Sequence, residues 1–194
     1  MEALYILIGL LLITLFWIIA IYNSLVRLRQ HLKDSWAGIE TELRRRYDLI
    51  PNLVETVKGY AAHEKQVFEN VTEARTRAVS SSGSPSTQAA DENMLVQGLR
   101  SLLAVSEGYP ELKASGNFLE LQRELANTED RIQAARRFYN GNVRDLNTRI
   151  EVFPSNLIAN IFSFTPAEYF EIEQVGAASA PQVNLAREKD PDSD

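Results

Sequence analysis

Residues 3–22 read ALYILIGLLLITLFWIIAIY, and residues 23–50 continue as NSLVRLRQHLKDSWAGIETELRRRYDLI. Residues 3–22 carry no charge. As a helix they span about 30 Å, the thickness of a hydrocarbon core. Leu4, Leu10, Leu15, Trp17 and Ile21 are the side chains expected against lipid. Trp17 and Tyr22 lie toward one end and Tyr5 toward the other, where interfaces favour amphipathic rings. A cleavable signal peptide fits less well. Only Glu2 precedes the run, the run is long, and no small-residue cleavage site follows it.

Beyond the run, apolar residues fall at Leu25, Leu28, Leu32, Trp36, Ile39, Leu43, Tyr47 and Ile50, with spacings 3, 4, 4, 3, 4, 4, 3. That rhythm is nearer to an eleven-residue repeat than to heptads, and predicts a nearly straight helix. No Gly or Pro separates Tyr22 from it. The membrane helix is therefore expected to continue into the soluble helix as one rod. Leu25, Leu28, Leu32, Trp36 and Ile39 form a seam along which copies of the chain are expected to associate. Arg27, Arg29, Lys33, Arg44, Arg45 and Arg46 follow the span, whereas only the α-amino group and Glu2 precede it. The positive-inside rule then predicts a cytoplasmic domain and an outside N-terminus.

Pro51 interrupts the pattern and either kinks the rod or starts a new helix, with Asp48 placed to cap a freed N–H. The segment Arg45, Arg46, Tyr47, Asp48, Pro51 and Asn52 is the sharpest local feature. It reads either as a docking surface or, preferably, as a kink whose freed carbonyls are bonded by Arg45 or Asn52. Helical spacing resumes from Leu53 to Ala78 and ends in a flexible Ser/Gly/Pro loop at residues 80–86. A third helix is expected from about Ala89 to Glu107, stopped by Gly108 and Pro110. Asn117 and Glu120 have capping-box spacing for a fourth helix. Its Phe118, Leu125, Ile132, Tyr139, Leu146 and Phe153 are each seven apart, a bundle or coiled-coil face. Thr128 and Asn142 interrupt that face, either as buried register-setting groups or as half-exposed ones. After Phe153-Pro154, the apolar patch Leu157, Ile158, Ile161, Phe162 and Phe164 reads as a cap on the core rather than an exposed membrane or partner site. Thr165-Pro166-Ala167-Glu168 has the form of a helix start, predicting a short helix through about Gln174. Residues beyond Gly176 read as disordered.

The motifs YNSLV (22–26), RRYDLIPNLVETVKGY (45–60), EAR (73–75), LLAV (102–105), YPELK (109–113), ARRFYN (135–140), FPSNLIA (153–159) and PAEYF (166–170) closely resemble the LemA family, in register from residue 22 to about 172. The resemblance implies a bacterial, membrane-anchored helical-bundle protein with a short outside N-terminus, in the cell's inner membrane, with no assigned catalytic activity.

Composition excludes much chemistry. With no cysteine, disulfides, thiolate metal sites and thiol nucleophiles are impossible. His63-Glu64 opens like a zinc-protease helix, but Val67 stands where the second His is required, and His31 is isolated. Asp91-Glu92 and Glu129-Asp130 are carboxylate pairs, but neighbours on a helix point about 100° apart and do not chelate. No metal or cofactor is expected. The net charge of −6 resides mostly in the last 31 residues, where seven acids face Arg187 and Lys189. The remaining body is nearly neutral and lacks the clustered positive surface that nucleic-acid binding requires.

The expectation is an all-α protein: an anchor over 1–23, an antiparallel up-and-down bundle of three to four long helices over 24–174, and an acidic tail over 175–194. The function expected is a non-enzymatic scaffold at the lipid bilayer, assembling with itself. The alternative is an adaptor presenting its bundle or tail to another membrane protein, for example a protease or signalling partner.

Overall fold

The computed structural model describes residues 1–173 and Val175, and those described are helical apart from short connections and a C-terminal extended segment. The predicted tail lies outside the described residues, save Val175. Six helices follow in order: α1 Glu2–Lys58, α2 Lys65–Ser80, α3 Pro85–Glu107, α4 Pro110–Lys113, α5 Gly116–Glu151 and α6 Ser155–Ile161. The apolar run and the soluble rod are one helix of 57 residues. Its first third is bare: Leu4, Leu10, Leu15 and Trp17 are exposed, and burial begins at Ile21.

Pro51 does not divide the rod. It sits inside α1, which continues to Lys58 and gives way at Gly59. A proline lacks the N–H that would bond the carbonyl four residues earlier. Here that carbonyl belongs to Tyr47, and Arg75 Nε of α2 donates to it at 2.7 Å. A neighbouring helix thus supplies the missing donor. The expected partners are elsewhere: Arg45 is exposed beside Glu42 at 3.9 Å, Asn52 is exposed, and Asp48 faces solvent without a cap to make.

From Gly59 the chain turns back, so α1 rises, α2 descends, α3 rises and α5 descends. The α2–α3 hairpin closes tightly at Gly98, where a Cβ would come within 3.3 Å of Val71 Cγ2. The serine-rich loop is shorter than expected. Ser84 and Pro85 already open α3, because proline at the first helical position needs no N–H partner. Ser115 is the residue preceding α5, and neither it nor Asn117 makes a side-chain cap. The heptad face of α5 is buried from Phe118 through Leu146, whereas Phe153 lies past the helix end and is exposed. Thr128 is buried and bonds back to the Glu124 carbonyl at 2.9 Å. Asn142 is half-buried and donates to the His31 carbonyl at 3.4 Å.

The seam Leu25, Leu28, Leu32, Trp36 and Ile39 packs against the chain's own elements. Leu25 and Ile39 are fully buried, Leu28 and Leu32 pack on the core, and Trp36 stacks against Tyr139 at 5.3 Å and Phe170 at 5.4 Å. α5 and the C-terminal segment occupy it.

That C-terminal segment corrects a second expectation. Residues 165–173 are extended, not helical. Side-chain amides grip the backbone in pairs: Asn147 with both N–H and C=O of Ala167, Asn140 with both of Phe170, and Asn93 with the Glu171 carbonyl and the Glu173 N–H, all at 2.7–3.2 Å. Arg136 adds a bond to the Ile172 carbonyl at 3.0 Å. These contacts satisfy the backbone groups that a helix would have bonded internally, while Phe170 and Ile172 enter the core. The strap runs along α5 and α3, with Phe170 reaching Trp36 of α1.

Replacing Arg75 with Met should lower unfolding stability by about 1.5–3 kcal/mol, the range for a hydrogen bond from a charged donor. In a Pro51→Ala background, the restored N–H bonds the Tyr47 carbonyl and most of that loss should vanish. Denaturant unfolding of the four variants in detergent reads the coupling.

A buried arginine–glutamate cluster as the candidate functional site

Arg46 occupies a seam position of α1 between Leu43 and Ile50 and is fully buried, at 0% exposure. α3 presents Glu92, also 0% exposed, and α5 presents Glu129, at 9%. The guanidinium forks between them. Nη1 donates to both oxygens of Glu129 at 2.9 and 3.2 Å, and Nη2 donates to Glu92 Oε2. Glu92 also accepts the Tyr47 hydroxyl proton and, at 2.9 Å, Gln88 Nε2. Gln88 in turn donates to the Ala78 carbonyl at 3.2 Å. Four helices thus meet at one polar centre.

Two carboxylates share one cation, so charge sets the chemistry. Burial alone would lower the Arg46 pKa, but Glu129 and Glu92 outweigh it and hold the guanidinium charged. Burial raises the Glu129 carboxyl above its ordinary value despite Arg46 beside it. The Tyr47 phenol is pushed well up by burial and then by Glu92, which keeps it a donor. Along the strap, burial and then Glu168 raise the Tyr139 phenol to about 12, and its OH donates to the Glu168 carbonyl at 3.0 Å.

Sequence reasoning singled out Arg46 and Tyr47, but as parts of a kink, and dismissed the two acidic pairs as chelates. One member of each pair, Glu92 and Glu129, converges on Arg46. Asp91 turns outward to Arg77 at 2.9 Å. The signal was present in the spacing: Glu92 precedes Leu95, Leu99 and Leu102 on one face, and Glu129 sits between Leu125 and Ile132. A charge at a seam position, matched by opposite charges at two others, marks a buried pair. The guanidinium fills the space between the two carboxylates, so they are not a metal cage. Arg46 Nη1 and Nη2, the Tyr47 hydroxyl and Gln88 Nε2 each have an acceptor inside the protein, whereas the buried Arg46 Nε has none among the described residues. The cluster ties α1, α3 and α5 together through one buried cation.

The LemA family model matches residues 35–185. The chain belongs to the LemA family. The matched region begins beyond the apolar run and includes Arg46, Glu92 and Glu129. The magnetosome protein MamQ 2 of Paramagnetospirillum magneticum is 27% identical, over 80% of this chain and 66% of its own length. The magnetosome protein MamQ of Magnetospirillum gryphiswaldense is 24% identical with the same coverage. Protein LemA of Metamycoplasma hominis is 26% identical over 79% of this chain and 71% of its own. The chain therefore spans about two thirds of the length of its magnetosome relatives.

Arg46→Met should destabilise the bundle by about 3–5 kcal/mol, because it strands two buried carboxylates. Adding Glu92→Leu and Glu129→Leu should recover most of that loss in thermal melts, since the desolvation cost leaves with the charges.

Acid should act with the opposite sign to a surface salt bridge. A carboxyl raised on folding stabilises the fold fully below its unfolded pKa, and that contribution is lost as pH rises through the folded pKa. Glu129 therefore adds stability as pH falls toward the ordinary value of 4.5. In thermal melts the stability difference between Glu129→Gln and the unsubstituted protein should move in the variant's favour as pH rises from acid toward neutral, whatever the offset that loss of the Arg46 partner imposes.

Proposed function

We propose that this protein is a membrane-anchored, non-catalytic scaffold that spans the inner membrane of a bacterial cell once and assembles laterally with copies of itself. The bundle stands on the cytoplasmic side, where Arg27, Arg29 and Lys33 follow the span, and the short N-terminus lies outside. The observation that carries the reading is the continuity of α1. One helix has its first third bare and apolar and the rest locked into a bundle by a buried cation. A bare apolar helix of that length is costly in water and matched to a bilayer. Because the seam from Leu25 to Ile39 is occupied internally, the contact between copies falls on the span, where confinement to a plane raises effective concentration.

An open groove of about 850 Å³ supports a second reading, as an adaptor. Arg137 and Arg144 line it opposite Glu171 and Glu173 of the strap, and a partner membrane protein with a segment of mixed charge fits that surface.

Carbonate washing should leave the full-length chain in the membrane pellet. Disulfide cross-linking from Leu11→Cys should then give multiples of the chain's own mass, while Leu28→Cys should give none. Cross-linking in native membranes that joins the chain only to other proteins would replace the scaffold with the adaptor. Extraction by carbonate would remove both.

A further inference from the structure

The membrane-proximal end of the bundle carries an apolar surface that the bundle leaves uncovered. The pairs Arg46–Glu129 and Trp36–Tyr139 set an antiparallel register between α1 and α5. Each residue further down α5 lies opposite one residue nearer the N-terminus of α1. Val152 and Phe153 therefore come level with Asn23 and Tyr22, where the uncharged span ends. The turn after α5 and the seven-residue α6 then pack on α1 at that height. Ile158, Ala159 and Phe164 are buried with Ile21 and Leu25, and Ile18 packs on the same cluster. Ile18 lies about 6 Å further along α1 toward the bilayer than Tyr22.

The patch read from sequence as a core cap is thus divided. Ile158 and Phe164 cap the core. Val152, Phe153, Leu157, Ile161 and Phe162 are exposed, Phe153 at 73% and Ile161 at 72%. Leu157 and Ile161 are four apart, on one face of α6.

We propose that the α5–α6 turn and α6 form a second membrane contact, a foot that lies in the interface of the bilayer that α1 enters. The proposal rests on the anchor reading of α1. Three observations select lipid as the occupant. The exposed patch is continuous with the bare span, since Phe162 stacks on Tyr22 at 4.7 Å, at the position where the run ends. Cations outnumber acids around it: Arg27, Arg29 and Arg149 are exposed at this level against Glu151, and the Arg29 guanidinium lies 5.0 Å over the Phe164 ring. Aromatic rings and long cationic side chains suit the headgroup layer, where apolar faces of interfacial helices bury roughly 5–10 Å. Five apolar side chains also fall short of the roughly 20–30 residues per side that a stable protein interface uses.

The absence of cysteine makes single-site labelling clean. The full-length chain carrying Leu157→Cys, Ile161→Cys, Leu11→Cys or Thr76→Cys is nitroxide-labelled and reconstituted into phosphatidylethanolamine–phosphatidylglycerol vesicles. Collisions with oxygen and with a water-soluble nickel chelate are compared. The labels at 157 and 161 are expected to favour oxygen several-fold over the label at 76, and to resemble the label at 11. Aqueous behaviour at 157 and 161 with lipid behaviour at 11 overturns the foot and leaves the anchor standing. Aqueous behaviour at 11 as well shows that the anchor reading fails and the foot with it. Spin–spin broadening at 161 that disappears on dilution with unlabelled chain assigns the patch to a second copy and also overturns the proposal.

Discussion

A guanidinium removed from water costs several kcal/mol, and each carboxylate brought to it costs a similar amount. Arg46 can be buried only where Glu92 and Glu129 arrive together, with Tyr47 and Gln88 completing the acceptors' shell. That condition fixes the rotation and the axial register of α1, α3 and α5 at once. Sliding α5 by one turn against α1 would still set apolar side chains against apolar ones over much of the seam, but would abandon an unpaired buried charge. The net gain in stability over an apolar replacement is small. The gain lies in discrimination between arrangements that hydrophobic packing alone would leave close in energy.

The same register governs the membrane-proximal half. There α2 and α3 are too short to follow, and α1 and α5 would form a two-helix stalk with one face bare. The chain after α6 begins to cover that face with Phe164, and the strap then runs on with Phe170 and Ile172 to where Asn93 of α3 holds it. Asparagines at 93, 140 and 147 take the place of a neighbouring strand. These asparagines explain why a well-formed helix start at Thr165 to Glu168 does not make a helix. The local signal competes with paired amides already aimed at an extended backbone, and tertiary partners prevail.

Much of the architecture was legible in the chain. The uncharged run, the period of α1 and the heptads of α5 gave helices whose inward faces follow the spacing. Their boundaries were harder to read where they depend on distant groups. Pro51 is harmless because Arg75, on another helix, bonds the Tyr47 carbonyl, and nothing near residue 51 announces it. The buried cluster was half visible. Its three charges stand at seam positions, yet only the folded register reveals that they are one site. The seam from Leu25 to Ile39 was legible as apolar, but apolarity does not say whether the cover is a second copy or the chain's own α5.

An unbroken α1 also acts as a lever arm. From Tyr22 to Lys58 it extends about 54 Å beyond the span at 1.5 Å per residue. A 10° change in tilt at the bilayer would carry the distal tip sideways by about 9 Å, given that length. Membrane-spanning helices adjust their inclination to the thickness of the surrounding lipid. A stiff shaft without a joint turns that small angular adjustment into a lateral displacement of the distal end.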